Sequence, residues 1–321
     1  MLEDLFEKRK GFKLVCGAGN EDIEEVEKLV TIYAKAGCKF FDVSANVDVV
    51  EAAKNGLRRA GVNDAAICVS VGIAGDPHIT KAQIDENVCI KCGSCVSVCP
   101  HNAILSLAAP QIKKERCLGC GQCLSVCPVN AITTHSQLKE YNEILPEIIE
   151  KGIDCIEFHA ISTDENDVDE KWQQLNEMFS GMLCISLDRS ELGDKKLKER
   201  VERLISKRKP YTTIIQADGV AMSGNNDEYG TTLQAVATAQ LFQNAKLPVY
   251  IMMSGGTNTK STELAKLCGV NIHCLAVGSY ARKIVKKYLE TENLYDNPKV
   301  MSQAVEIAKK LIDISLSNMH F

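Results

Sequence analysis

One cysteine pattern occurs twice and limits what the middle of this chain can fold into. The first copy is Cys89-Ile90-Lys91-Cys92-Gly93-Ser94-Cys95-Val96-Ser97-Val98-Cys99-Pro100. The second is Cys117-Leu118-Gly119-Cys120-Gly121-Gln122-Cys123-Leu124-Ser125-Val126-Cys127-Pro128. Both read C-x2-C-x2-C-x3-C-P, the spacing that wraps a chain round a cubane [4Fe–4S] cluster. Three closely spaced thiolates reach three iron corners, and the fourth cysteine of each copy ligates the other cluster. The expected ligands are therefore Cys89, Cys92, Cys95 and Cys127 for the first cluster. For the second they are Cys117, Cys120, Cys123 and Cys99. The proline after each fourth cysteine turns the chain without needing an amide hydrogen. Gly93, Ser94, Gly119 and Gly121 leave backbone amides free to approach sulfur, which tunes the reduction potential.

Two other uses of eight cysteines fit less well. Tetrahedral zinc takes four thiolates, but its knuckles are commonly two C-x2-C pairs separated by a longer loop. Radical chemistry on S-adenosylmethionine needs C-x3-C-x2-C, a spacing neither copy has. The segment from about 84 to 134 resembles bacterial-type ferredoxins. The shared Ala103-Ile104 and Ala131-Ile132 after the last cysteine of each copy match an internal duplication. Two clusters held by crossed ligands sit close together, which suggests an electron relay and leaves sensing open.

Of 15 cysteines, the remaining seven are scattered, mostly in apolar runs. As free thiols they imply a reducing compartment, and the expected location is cytoplasmic. The opening Met1-Leu2-Glu3-Asp4 is acidic, so no export signal is expected, and no stretch has the length to span a membrane. A net charge of −5 argues against nucleic acid as the main partner. With 45% apolar and 25% charged residues, the chain has the balance of a soluble globule.

Outside the cysteine block, short apolar runs alternate with helical periodicity. Strands are expected at 12–18, 39–45, 66–71, 155–159, 183–188, 212–218, 249–253 and 272–277. Helices are expected at 21–36, 47–60, 137–152, 166–180, 190–208, 231–245, 259–268, 281–290 and 299–315. Asn20 is the expected N-cap of the first of these and Gly37 its C-cap. Eight strand–helix units predict an α/β fold, a (β/α)8 TIM-like barrel with an inserted dicluster ferredoxin-like domain. A doubly wound sheet is the alternative. The expected division is 1–73 for the first part of the barrel, 74–136 for the insert and 137–321 for the rest. The insert follows the third barrel strand, which places it over the catalytic face.

The seventh strand ends Ser254-Gly255-Gly256-Thr257-Asn258 and the eighth ends Gly278-Ser279. These resemble the loops of phosphate-gripping barrels, including flavin-mononucleotide oxidoreductases, and imply FMN or another phosphate-bearing small molecule at Gly255, Gly256, Thr257, Gly278 and Ser279. The bland reading is that the glycines end strands. Other polar residues at strand ends are Lys13, Cys16, Asp42, Ser44, Asn46, Asp188, Arg189 and Gln216. Glu157, His159 and Asp218 are the expected catalytic residues. Alternation puts Glu157 with His159 and Gln216 with Asp218 on common faces. His159 titrates nearest neutrality, while Asp188 or Asp218 serves equally as a helix cap.

Taken together, Phe12-Lys13-Leu14-Val15-Cys16-Gly17-Ala18, the Asp42 strand, the doubled cysteine motif and Gln216-x-Asp218-Gly219-x-x-Met222-Ser223-Gly224 resemble the LdpA family. These are cyanobacterial iron–sulfur proteins tied to light-dependent period control. The resemblance implies redox sensing that feeds a circadian clock. Two functions are thus in view. One is an oxidoreductase taking electrons from a donor or acceptor protein through two [4Fe–4S] clusters to a substrate or flavin. The other is a non-enzymatic redox sensor.

Overall fold

A computed structural model describes residues 1–76, 79–106, 108–189, 192–219 and 228–319. Helix α1 (Leu2–Glu7) precedes β1 (Gly11–Val15), α2 (Ile23–Lys35), β2 (Phe40–Ser44), α3 (Val47–Ala60) and β3 (Ala66–Val71). The insert follows, with β4 (Thr80–Ile84), α4 (Ser94–Val98), β5 (Ile104–Ser106), β6 (Pro110–Ile112), α5 (Gln122–Ser125) and β7 (Ile132–Ser136). The alternation then resumes through α6 (Tyr141–Glu150), β8 (Cys155–His159), α7 (Glu165–Met178), β9 (Met182–Leu187), α8 (Asp194–Ile205) and β10 (Thr213–Asp218). It ends with α9 (Glu228–Ala245), β11 (Tyr250–Ser254), α10 (Ser261–Leu267), β12 (Cys274–Val277), α11 (Ser279–Leu289) and α12 (Pro298–Ser317).

Eight strands close into a parallel barrel in the order β1-β12-β11-β10-β9-β8-β3-β2. Their apolar runs follow from burial on both faces, against the lumen and against the helices. Closure by β1–β12 pairing, Gly11 opposite Cys274, excludes the doubly wound sheet. Gly11 is needed there, because a Cβ would lie 2.6 Å from that of Cys274.

Several local expectations are corrected. The N-cap of α2 is Asp22, whose side chain accepts from the Glu25 amide. Asn20 instead accepts from the Asp22 amide and donates to the Cys16 carbonyl, so it braces the turn before the cap. Asp22 is two residues nearer the first apolar position, Ile23, where a side-chain oxygen reaches the open amides. The sequence reading did not foresee α1, whose Phe6 plugs the N-terminal end of the barrel, stacked on Tyr250 at 4.9 Å. Helix α8 starts at Asp194 rather than 190.

The insert contains two small antiparallel sheets, β4–β7 and β5–β6. β4 enters it from the barrel side and β7 leaves beside it, with Ile84 opposite Ile132. Its own small core holds Ala82, Ala103, Ile104, Ile132 and three of the cysteines.

Candidate functional site: two cysteine cavities over a charged barrel mouth

The two cysteine copies fold alike. Gly93 (φ 77°) caps α4 and Gly121 (φ 75°) caps α5, each in the left-handed region that glycine tolerates. Asn102 (φ 49°) and Asn130 (φ 51°) take the same left-handed turn after each proline. Beyond those turns, the Ala103 amide donates to Cys99 Sγ at 3.3 Å and the Ala131 amide to Cys127 Sγ at 3.2 Å. The repeated alanines thus bring an amide onto the last sulfur of each copy.

Cys89, Cys92, Cys95 and Cys127 line one cavity of about 320 Å³. Cys99, Cys117, Cys120 and Cys123 line another of about 360 Å³. Each cavity thus mixes three thiols from one copy with the fourth from the other. All eight thiols are free of disulfides. The Lys91 amide donates to Cys89 Sγ at 3.4 Å and the Ala82 amide to Cys117 Sγ at 3.3 Å. Burial pushes the Cys123 thiol up to about 11 and raises Cys120 and Cys95 as well. Thiols so placed become thiolates when a cation compensates them. Four soft donors round a room with inward amides suit iron–sulfur chemistry.

The insert leans on the barrel through its second copy. Lys81, buried on β4, donates to the Gly19 carbonyl of the loop after β1 and to the Cys117 carbonyl at 3.0 Å. Arg116 pairs with Asp22, and the Glu21 amide donates to the Glu115 carbonyl at 2.7 Å. Leu118 packs beside Gly17 (φ 104°), its Cδ1 3.5 Å from where a Cβ would lie. Asn102 bridges Glu290 at 2.8 Å and Lys286 at 3.0 Å. The start of the first copy faces solvent. Ile90 is 61% exposed and Val88 44%.

Under the insert lies a cavity of about 520 Å³ at the ends of β1, β2 and β3. Glu21, Ser44, Ser70, Lys81, Lys139 and Tyr141 are among its lining residues. Behind Ser70 the barrel interior is ionic. Ser70 Oγ donates to Asp42 Oδ1 at 2.7 Å. Lys13 is wholly buried; it pairs with Glu157, donates to Gln216 Oε1 at 2.7 Å and lies 4.0 Å from Asp42. Gln216 Nε2 donates to Glu157 Oε1 at 2.7 Å. His159 Nε2 is 3.2 Å from Glu157, and its Nδ1 is 2.7 Å from Asp76. Ser186 Oγ donates to Asp218.

The charges follow from competition between burial and neighbours. Burial opposes the charge of Lys13, but Glu157 and then Asp42 outweigh it and hold its pKa well above the usual lysine value. Burial opposes the charge of Glu157, yet Lys13 and His159 bring its pKa down to about 2. Burial likewise opposes a charged His159, and Asp76 and Glu157 override it, so the imidazole is held protonated. For Asp42 burial prevails over Lys13, and the carboxyl is pushed up to about 6. Asp42, Cys68 and Glu157 also cluster closely enough to hold a metal ion, but the Lys13 ammonium already supplies positive charge there.

The expected catalytic trio is brought into one network: Gln216 reaches Glu157 at 2.7 Å and Asp218 at 3.4 Å, while His159 meets Glu157. Lys13, Asp42 and Gln216 belong to it too. Asp76 and Ser70 were not foreseen. Lys13 carried a visible signal, a charge flanked by Phe12 and Leu14; Asp76 sits in an irregular turn with none. The glycine loops follow β11 and β12, and β12 neighbours β1. Gly255 (φ 63°) packs against Gly219, where a Cβ on either would meet the other's backbone at 2.6 Å. The Gly256 carbonyl accepts from Thr231, Thr232 and Asn258, and Thr257 Oγ1 donates to the Ala276 carbonyl at 2.5 Å. Gly278 caps α11, packed on Val15, and Ser279 opens the helix. Met222, Ser223 and Gly224 lie outside the described residues.

The family model for the light dependent period A C-terminal domain matches residues 147–314, and that for a 4Fe-4S dicluster domain matches 82–134. A curated relative, "Light dependent period A" of Synechococcus elongatus, is 30% identical over 94% of this chain and 90% of its own. Among solved structures, the YdjI aldolase from Escherichia coli K12 aligns over 99% of this chain and 94% of its own, at a TM-score of 0.50 and 10% identity. The alpha subunit of tryptophan synthase from Legionella pneumophila aligns over 99% and 97%, at a TM-score of 0.48 and 10% identity. At such identity the aldolase match speaks for the fold alone. Among the described residues no helix is long and apolar enough to cross a membrane.

Proposed function

Because the chain belongs to the light dependent period A family, we propose that it is a redox-sensing iron–sulfur protein whose insert reports its electron state to the barrel. Cys89, Cys92, Cys95 and Cys127 would hold one [4Fe–4S] cluster, and Cys99, Cys117, Cys120 and Cys123 the other. Each bound cluster supplies one-electron chemistry at a potential set by its surroundings. The observation that carries the reading is Lys81, a buried cation shared between the Cys117 carbonyl and the Gly19 carbonyl. A change of charge at the second cavity bears directly on that ammonium, and so on the loop that opens the barrel mouth. The signalling partner is an electron donor or acceptor protein that meets the exposed face near Ile90.

Anaerobically purified protein tests this. It should carry the iron of two cubanes. Hydrogen exchange at residues 17–22 should differ between the air-free oxidised and the dithionite-reduced protein. Equal exchange in the two states overturns the sensor reading.

One observation favours a second reading, an oxidoreductase. The 520 Å³ cavity opens toward Ser70, and Ser70 leads through Asp42 to Lys13, Glu157 and His159. In that reading these groups, with Asp218, would bind or protonate a substrate, and Gly255, Gly256, Thr257, Gly278 and Ser279 would grip the phosphate of FMN or a similar ligand. Denaturing the purified protein and recording the released chromophore decides the flavin version. A flavin spectrum supports it, and its absence rejects it.

A further inference from the structure

The two halves of the insert match in backbone and carry different side chains at one cavity-lining position. After the prolines, the copies read His101-Asn102-Ala103-Ile104 and Val129-Asn130-Ala131-Ile132. Both asparagines are left-handed, and both alanine amides donate to the preceding cysteine sulfur. His101 and Val129 therefore hold equivalent positions. Val129 lines the cavity of Cys89, Cys92, Cys95 and Cys127, and His101 lines that of Cys99, Cys117, Cys120 and Cys123.

His101 Nε2 is buried and has no hydrogen-bond partner among the described residues. A buried polar atom left unsatisfied costs about 1–3 kcal/mol. The cavity it lines is walled by four sulfur ligands, so an Nε2–H has acceptors there once the site is filled. The valine at the equivalent place can offer none. The barrel adds to this asymmetry: Lys286 on α11 is hydrogen-bonded to Asn102, next to His101, on the side of the second cavity.

From this, we infer that His101 donates its Nε2–H to sulfur at the second cluster site and makes that site the higher-potential one of the pair. The inference rests on the two-cluster reading above. Hydrogen bonds to sulfur and positive charge nearby stabilise the reduced, more negative cluster. One electron arriving from a one-electron carrier at the exposed first site would pass to the second, leaving the first oxidised again and the second reduced by one. The charge then rests beside Lys81 and the barrel. His101 is a tuning residue and touches no substrate.

The test is an anaerobic potentiometric titration followed by electron paramagnetic resonance, on wild type and on His101→Val, His101→Gln and Val129→His. Iron content, measured first, reports separately on the two-cluster reading. Wild type should titrate in two steps. His101→Val should lower the upper midpoint and leave the lower one, so the steps converge, whereas His101→Gln, which keeps an N–H donor, should hold it near the wild-type value. Val129→His should raise the lower midpoint. Val129 shows that a valine is accommodated on this backbone. Should His101→Val fail to retain iron, the Gln and Val129→His variants decide alone. Unmoved midpoints in Val129→His and His101→Val, or a uniform shift of both steps, would overturn the inference.

Discussion

Lys13 and Glu157 form an ion pair wholly inside the barrel, with Asp42 4.0 Å from the same ammonium. The pair is costly to build, since both charges leave water, and costly to break, since the survivor has no solvent to turn to. Lys13→Met leaves Glu157 buried beside Asp42 with one cation fewer. Such a change is expected to lose about 3–5 kcal/mol of unfolding free energy. Lys13→Met with Glu157→Gln should cost less than the sum of the two single changes, because the two residues are in contact. Urea unfolding of the four proteins measures this, and additive losses would remove the coupling.

The pH dependence of stability carries two signatures of the same sign in different pH windows. His159 has a folded pKa raised well above 6.5 by Asp76 and Glu157 against the burial that lowers it. Its contribution is complete below the unfolded value and is lost as pH rises through the folded one. Wild type should therefore lead His159→Gln most near pH 6, and the lead should shrink on going to pH 9. Asp42 behaves in the same sense at lower pH. Its folded pKa is about 6 against an ordinary 3.8, raised chiefly by burial. The native state then holds the proton more tightly, so stability falls as pH rises between those two values. Relative to Asp42→Asn, wild type should weaken from about pH 4 to pH 6 and stay level above. Denaturation midpoints across pH 4–9 check both. A His159 difference that grows with pH would reverse the assignment of its charge.

The mixed lining of the two cysteine cavities makes a prediction about loss of iron. Cys127 is nearest in sequence to Cys123 and Cys120, yet it lines the cavity of Cys89, Cys92 and Cys95. Cys127→Ala should therefore abolish the same paramagnetic signal as Cys89→Ala, and Cys99→Ala the same signal as Cys117→Ala. Each variant should retain half the iron. Pairing of Cys127→Ala with Cys123→Ala in the spectra would mean uncrossed ligation.

How far the fold and site can be read from sequence depends on range. The barrel was legible because each strand is a continuous apolar run followed by helical periodicity, and β8 falls on the very residues that alternation assigns it, Cys155–His159. The direction of Glu157 and His159 followed from the same two-residue period. What alternation cannot supply is the partner across the lumen. Lys13 meets Glu157 at a separation of 144 residues, and His159 meets Asp76 at 83, through closure that no local pattern encodes. The loop at Gly255 and Gly256 shows the converse. Its composition matches a phosphate grip, but the same glycines are required by the close backbone approach to Gly219. Composition does not distinguish the two uses. Helix α1 escaped notice because a short helix has too few turns to show a stripe.

Lys81 offers the sharpest test of the contact between insert and barrel. Its ammonium is buried, and that burial lowers its pKa despite the nearby Glu21 carboxylate. Two carbonyls, of Gly19 and Cys117, depend on it. Lys81→Met keeps the length of the side chain and removes the donor. Each carbonyl left buried and unpaired costs about 1–3 kcal/mol, while relief from burying the charge returns part of that. The net expectation is a modest fall in stability with a local consequence. Amide exchange at residues 17–22 and 115–118 should quicken, because the loop after β1 and the second cysteine copy are no longer tied through one ammonium. The iron content should hold, since no cysteine is touched and the Ala82 amide still donates to Cys117 Sγ at 3.3 Å. If exchange in both segments stays at the wild-type rate in Lys81→Met, the insert is held by Arg116–Asp22 and the Glu21–Glu115 backbone bond instead, and Lys81 does not couple the two halves of the site.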